Sequence, residues 1–178
     1  MKVLVPLVAI TVVGLIASLM LRLGSFKEVS LSEGERGPFK QVFKKHVGAY
    51  HKIVPVLEEV ETWAKANGEA CRLTFGEFID DPDLIAEDRL RSSAGCMVEK
   101  KWDLVLPAGF GYREIPAHLF VVAEFDGAPS IGPIKVYPRA KDYIAAHNYK
   151  QIGPTYEIYE ILAPDKVKTT YLFPVEKK

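Results

Sequence analysis

The residues best suited to binding chemistry lie in one strand-like segment, residues 154–159, with the sequence PTYEIY. Strand side chains alternate between two faces, so Glu157 and Tyr159 share one face while Tyr156 and Ile158 share the other, which we expect to pack against helices. A partly desolvated carboxylate attracts an organic cation, and an aromatic ring beside it adds cation–π and apolar contact. The competing interpretation is that Glu157 faces solvent or forms a salt bridge, as strand glutamates commonly do.

A second segment, residues 71–79 with the sequence CRLTFGEFI, carries a matching pattern in the first half of the chain. Alternation directs Leu73 and Phe75 toward the helices and places Gly76 and Phe78 on the other face. Gly76 is then the positional counterpart of the glutamate in the second half. One half supplies an acid and the other an absent side chain, which predicts space beside that acid.

Other catalytic and metal-binding chemistry finds little support in the sequence. Cys71 and Cys96 are the two cysteines, too few for a zinc site or a disulfide framework. They belong to neighbouring strands of the first predicted hairpin and would pair only in an oxidising compartment, and we expect them to be free thiols. The four histidines show neither an i, i+4 pair nor an HExxH pattern, and no phosphate-binding or nucleophile-elbow motif appears. We therefore expect no metal and no cofactor.

The charge balance bears on the class of partner. Lys plus Arg number 23 and Asp plus Glu number 23, so the chain has no net positive field to attract a phosphate backbone. Nucleic acid is therefore not an expected partner.

The N-terminus suggests a membrane anchor. Residues 3–21 contain no charged side chain, and a helix of that length would cross a hydrocarbon core of roughly 30 Å. We predict a single-pass transmembrane helix over residues 1–23, the alternative being a cleaved signal peptide. Lysine and arginine flank both ends, so the side of the membrane stays open. Residues 24–37 are polar and rich in Ser and Gly, which predicts a tether before a domain over residues 38–178.

The domain contains an internal repeat. Residues 42–53 (VFKKHVGAYHKI) are similar to residues 122–134 (VAEFDGAPSIGPI), and each copy is followed by an amphipathic helical pattern and then by strand-like stretches. The predicted fold is α+β, with two β-α-β-β units forming an antiparallel sheet that carries helices on one face. A two-copy fold of this kind has a central groove on its pseudo-symmetry axis, which is the default binding site.

Several of these segments resemble the GyrI-like small-molecule-binding domain, the effector-binding module of AraC-type and MerR-type regulators. The resemblance covers residues 38–175 and rests on GAY at 48–50, on FGEFIDDPDLIAEDRLRSSAG at 75–95, and on IPAHLFVVAEFDG, GPTYEIYE and YLFPVE in the second half. It implies that Glu157 contacts the ligand, because PTYEIY matches the family's Pro-x-aromatic-Glu-x-Tyr motif. No helix-turn-helix precedes the domain, so a regulator role is not implied.

The order of an N-terminal apolar helix, a tether and this domain also resembles the membrane-anchored ER-phagy receptors of the testis-expressed group. Those receptors continue into a long acidic tail that carries their autophagy motif, whereas this sequence stops at PVEKK. The function of that tail is therefore not expected here.

Three functions remain open at this point. The first is a membrane-anchored module that binds a small hydrophobic or cationic molecule through Glu157, Tyr159, Phe78, Gly76 and Tyr50, although Tyr50, at the head of the first predicted helix, could instead cap the core. The second is a hydrolase of strained hydrophobic toxins that uses Glu157 to activate water, which a second acid or a histidine nearby would favour. The third is a membrane-tethered scaffold for a protein partner.

Overall fold

The computed structural model describes residues 4–69, 71–99, 105–163 and 166–178, with side chains from Val8 onward. Over these residues the helices are α1 Leu4–Leu23, α2 Val54–Ala66 and α3 Gly132–Ala146, and short 3-10 turns span Tyr50–Lys52 and Glu87–Arg89. The strands are β1 Ser30–Arg36, β2 Phe39–Val47, β3 Leu73–Phe78, β4 Arg91–Val98, β5 Phe110–Ile115, β6 His118–Phe125, β7 Tyr149–Gln151, β8 Thr155–Ala163 and β9 Lys166–Lys177.

The strands form one antiparallel sheet. Their order is β1-β6-β9-β8-β3-β4-β2-β5, and β7 pairs with the end of β9. The units β2-α2-β3-β4 and β6-α3-β8-β9 repeat the same order of elements, and their equivalent strands β3 and β8 pair at the centre of the sheet. The α+β class and the antiparallel sheet agree with the sequence prediction, whereas the transmembrane helix that it placed before them does not.

One face of the sheet is buried because the sheet curls on itself. Four strands separate β6 from β2 in the sheet order, yet the rings of Phe120 and Phe39 lie with centroids 6.3 Å apart. Arg113 of β5 reaches across in the same way to Glu77 of β3, at 2.9 Å. Phe75, which is fully buried, belongs to the apolar cluster that fills this curled interior.

The helices pack on the opposite face, and this reverses a prediction. Val60 of α2 and Val136 of α3 belong to the clusters that bury this helix-covered face. Tyr156 and Ile158, which we expected to pack against helices, lie in the curled interior instead, and Glu157 lies on the helix face. The alternation is as predicted, but its two faces are exchanged, for β3 as well as β8. Apolar periodicity did not distinguish the faces because both are buried.

The N-terminal helix corrects a second prediction. Within the residues that the structure describes, no helix combines the length and apolarity that crossing a membrane requires. Arg22 lies in the last turn of α1, where the uncharged run ends. The transmembrane helix predicted over residues 1–23 is therefore wrong, and its residues 1–3 lie outside the described part of the chain.

The segment after α1 is attached to the sheet. Gly24 adopts a left-handed backbone (φ 73°) and packs against Gly127, so closely that an added Cβ would lie 2.8 Å from the Gly127 Cα. Lys135 of α3 donates hydrogen bonds to backbone carbonyls of this segment. Within residues 24–37, which we predicted to form a polar tether, Ser30–Arg36 is the edge strand β1 and pairs with β6.

The cysteines correct a third prediction. Cys71 and Cys96 form a disulfide with a Cα–Cα distance of 5.4 Å, so they are not free thiols. Cys96 lies on β4 beneath α2, and Cys71 lies just before β3, the strand next to β4. The bond therefore ties the α2–β3 connection to the sheet.

Candidate functional site

The central strands β3 and β8 form the floor of the candidate site. Helix α2 packs over β2, β3 and β4, and α3 packs over β6, β7 and β9, so the β3–β8 pair lies between the two helices. Gly76 of β3 is directly opposite Glu157 of β8. Because β3 and β8 are equivalent strands of the two units, the acid and the glycine are counterparts across the pseudo-symmetry axis, as the sequence predicted.

Glu157 is the central group of this site and is 4% exposed. The Tyr137 hydroxyl donates a hydrogen bond to its Oε1 at 2.9 Å, and the Tyr159 hydroxyl donates to its Oε2 at 3.0 Å. In the described part of the chain, the ion pairs involve other residues. Burial raises the pKa of Glu157 from the ordinary 4.5 to about 7, although the two tyrosine hydrogen bonds act in the opposite direction.

Three tyrosines surround the acid. Burial raises the pKa of Tyr137 and Tyr159 well above the usual range, and the nearby Glu157 charge adds to this effect. Tyr171 of β9 is opposite Glu157 in the ladder, is fully buried, and has its pKa raised chiefly by burial. Because all three phenols stay protonated near neutral pH, they surround the acid with neutral polar and aromatic groups and leave its charge uncompensated.

Phe78 and Tyr159 occupy the space beside Gly76. A Cβ at Gly76 would lie 3.0 Å from the Phe78 ring and 3.6 Å from the Tyr159 hydroxyl. The space that we expected next to the acid is therefore filled by these two aromatic side chains. Glycine at this position lets the two rings approach the floor of the site.

Tyr50 reaches this aromatic row through its ring. The rings of Tyr50 and Phe78 meet edge-on with centroids 4.8 Å apart. The Tyr50 hydroxyl donates to the Asp80 carbonyl at 2.7 Å and accepts from the Asp80 backbone N–H at 2.9 Å. Asp80 also binds Arg91, whose hydrogen bonds lower the pKa of the Asp80 carboxyl. The structure thus brings all five predicted site residues into one chain of contacts, with the Tyr50 hydroxyl committed to the backbone.

Tyr137 is the site residue that sequence reasoning missed. It lies in the amphipathic pattern of the second predicted helix, and its ring packs edge-on against Tyr171 and Phe173. Its hydroxyl nevertheless reaches the acid. A buried tyrosine commonly finds a hydrogen-bond partner, and that tendency is the signal that could have indicated it.

Across the described residues, no group of three or more His, Cys, Asp or Glu side chains is placed to hold a metal ion. The candidate site consists of a carboxyl group among aromatic rings.

Comparison with known families identifies the domain. Residues 34–176 match the family model for the GyrI-like small molecule binding domain. The chain belongs to this family. The match begins at Gly34, near the end of β1, and covers both repeated units.

Solved structures agree with this fold. The GyrI-like domain is similar to the crystal structure of the EcmrR C-terminal domain, with a TM-score of 0.68 and 15% identity, covering 84% of this chain and 99% of that one. It is also similar to EcmrR in the cryo-EM structure of an EcmrR–DNA complex, with a TM-score of 0.70 and 14% identity, covering 91% of this chain and 64% of that one. This chain thus spans less than two thirds of the EcmrR chain in that complex.

A third similar structure is that of SAV2435 bound to tetraphenylphosphonium, with a TM-score of 0.52 and 16% identity, covering 84% of this chain and 94% of that one. No curated protein matches the sequence. The comparisons therefore support the GyrI-like fold and do not support the resemblance to the ER-phagy receptors. DNA is bound in the EcmrR complex, and for this GyrI-like domain the absence of a nucleic-acid partner stays a prediction.

Proposed function

We propose that this GyrI-like domain binds a small hydrophobic cation and that Glu157 is the negative charge that receives it. The observation that carries the proposal is a carboxyl group that is 4% exposed and whose hydrogen-bond donors are tyrosine hydroxyls. An acid held this way is costly to ionise in the empty site and gains a strong interaction when a cation arrives.

The surrounding side chains suit the apolar part of such a ligand. Tyr137, Tyr159 and Phe78 present aromatic rings around the acid, and rings of this kind attract cations through their faces. SAV2435, which shares the fold, has been solved with the aromatic cation tetraphenylphosphonium, and that likeness supports the choice of ligand class. Because both carboxylate oxygens accept tyrosine hydroxyls, an entering cation displaces at least one hydroxyl or binds beside them.

The test is a calorimetric titration of the full chain with tetraphenylphosphonium, and with triphenylphosphine oxide as the uncharged comparison. Changing Glu157→Gln removes the charge and keeps the shape, so the affinity for the cation should fall by roughly thirty-fold or more. Affinity for the neutral compound should change little. The matched control is Glu160→Gln, which makes the same change at an exposed position of the same strand.

Two results would contradict the proposal. Equal loss of both ligands in the Glu157→Gln variant would indicate that the residue maintains the fold and does not recognise charge. Equal affinity of wild-type protein and variant for tetraphenylphosphonium would place the cation elsewhere.

A hydrolase is the second candidate, and one observation favours it. Burial brings the pKa of Glu157 to about 7, where a general acid or base is effective. The groups that bind its carboxylate, however, are phenols with strongly raised pKa values, and such phenols are poor proton donors for a second catalytic role. Incubation with a cyclopropane-bearing electrophile, followed by mass spectrometry, distinguishes the candidates, because only a hydrolase converts the compound in wild-type protein and not in Glu157→Gln.

A further inference from the structure

We infer that the site exchanges a proton for its ligand, so that an organic cation entering beside Glu157 expels the proton that the empty site holds on that carboxyl group. This inference rests on the proposed function and adds its regulation, because the affinity then depends on pH.

The geometry around the acid is the basis of the inference. Glu157 has a neighbour on each element that packs against it: Tyr159 on its own strand, Gly76 on β3, Tyr171 on β9 and Tyr137 on α3. None of these side chains carries a positive charge at neutral pH. A single carboxyl group in such a place has hydrogen-bond partners but no counter-charge.

The charged side chains of the adjoining strands are engaged elsewhere. Glu77 follows Gly76 on β3, lies on the opposite face of the sheet and pairs with Arg113 at 2.9 Å. Lys168 of β9 pairs with Glu124 at 3.0 Å. In the described part of the chain, neither the Arg113 guanidinium nor the Lys168 ammonium group forms an ion pair with Glu157.

Burial without a counter-charge favours the neutral acid. A lone ionised carboxylate loses its hydration on burial and avoids the cost by taking up a proton. The tyrosine hydrogen bonds stabilise the anion in part, and the balance leaves the pKa of Glu157 at about 7. The empty site therefore holds a proton for much of the time at neutral pH and nearly always in mild acid.

Cation binding reverses this balance. A positive ligand at the carboxylate supplies the missing counter-charge, the O–H bond of the acid breaks, and the proton passes to the buffer while the cation takes its place. The charge of the site with its occupant is unchanged by the exchange. Below the pKa of the empty site, each fall of one pH unit should weaken the apparent affinity about tenfold, and well above it the affinity should become constant.

The experiment is calorimetric titration of the full chain with tetraphenylphosphonium in buffers of different ionisation enthalpy, which counts the protons released per ligand bound. We expect about 0.9 protons at pH 6, about 0.5 at pH 7 and about 0.1 at pH 8, together with about tenfold tighter binding at pH 8 than at pH 6. The Glu157→Gln variant should release no protons, and its weaker affinity should not vary with pH. The exposed control Glu160→Gln should behave like wild-type protein.

A second measurement uses wild-type protein alone. The side-chain carboxyl carbon of Glu157, followed by NMR, should titrate near pH 7 in the empty protein and at least two pH units lower when tetraphenylphosphonium is saturating. Binding without proton release at pH 6 would overturn the exchange and leave the proposed function intact, and so would release that persists in Glu157→Gln. Failure of wild-type protein to bind the cation between pH 6 and pH 9 would refute both.

Discussion

The surroundings of Glu157 donate hydrogen bonds to its carboxyl group but provide no positive charge to neutralise it, which favours the protonated form. Tyr137 and Tyr159 satisfy both carboxyl oxygens, so the group is compatible with a folded interior in either protonation state. Ionisation is where the cost lies, since burial penalises the charged form. The ionised form of Glu157 therefore destabilises the empty protein, whereas it strengthens the binding of a cation.

This produces a testable dependence of stability on pH. The folded pKa of Glu157, about 7, is above the ordinary 4.5, so the native state binds the proton more tightly than the unfolded state does. The resulting stabilisation is complete below about pH 4.5 and is lost as the pH rises to about 7, amounting to about 3 kcal/mol. The free energy of unfolding of wild-type protein and of Glu157→Gln is measured by urea unfolding at pH 4 and at pH 8. Relative to wild-type protein, the variant should gain that amount of stability between pH 4 and pH 8. If the free energies of unfolding of wild-type protein and variant change with pH in the same way, Glu157 is not a buried acid without a counter-charge.

At the scale of elements, the first 3-10 turn is joined to the β3–β4 connection by one side chain. Tyr50 lies in that turn, its ring contacts Phe78, and its hydroxyl bonds both backbone groups of Asp80. Asp80 in turn holds Arg91 at the start of β4 through a 2.6 Å contact. The ring therefore belongs to the candidate site, while the hydroxyl fixes the positions of two chain connections.

Removing only the hydroxyl separates these roles. Tyr50→Phe keeps the ring and leaves the Asp80 backbone without its partner, which should lower the free energy of unfolding by about 1–2 kcal/mol. The dissociation constant for tetraphenylphosphonium should stay within about twofold of the wild-type value, because the aromatic surface is preserved. Chemical unfolding and calorimetry on the same samples test both parts. A large loss of affinity with unchanged stability would assign the hydroxyl to ligand contact.

The strand pattern could be predicted from sequence to a considerable extent. Period-two alternation predicts that Gly76 and Glu157 share one face, as they do, because side chains on a strand have only two directions. It could not identify the helix-covered face, because the curl of the sheet buries Phe75 and Tyr156 as fully as the helices bury the other side. The hydrogen bond from Tyr137 to Glu157 could not be predicted either, because it joins α3 to β8 and only tertiary packing brings these elements together.

The N-terminal region shows a different limit. The polar sequence SLSEGER reads as a linker because its composition is that of solvated chain, yet as an edge strand it needs a ladder partner on one side only. Cys71 and Cys96 were expected to be free although they were placed on neighbouring strands, because the sequence does not indicate the redox compartment, and the pairing of β3 with β4 brings them within bonding distance. These features depend on distant parts of the chain, which local patterns do not specify.

At the scale of the molecule, an ion pair inside the curled sheet joins β5, at one end of the strand order, to β3, near its centre. The Arg113 guanidinium contacts Glu77 at 2.9 Å, hydrogen-bonds Gln41 at 2.8 Å and lies over the Phe43 ring at 4.5 Å. Glu77 is 4% exposed, and Arg113 is its partner in this ion pair. The pair therefore helps to hold β5 against the interior of the curl.

A double-mutant comparison tests this closure. Glu77→Leu leaves the Arg113 guanidinium without its counter-ion in a largely buried place and should lower the free energy of unfolding by about 3 kcal/mol. Adding Arg113→Met removes the uncompensated charge and should restore most of that loss. Urea unfolding of the two single variants and the double variant provides the measurement. Additive losses would show that the two side chains stabilise the fold independently.

The duplicated architecture also has a stereochemical consequence. Gly76 and Glu157 occupy equivalent places across the axis that relates the two halves, so the scaffold is nearly two-fold symmetric while its charge is not. A fully symmetric site would offer any guest two equivalent poses, related by that axis. Because the acid is on one side only, a guest directs its cationic centre to that side. Its remaining substituents then contact two sides of the site that differ. The two poses that symmetry would make equivalent therefore differ in energy, and a cation should bind in one orientation.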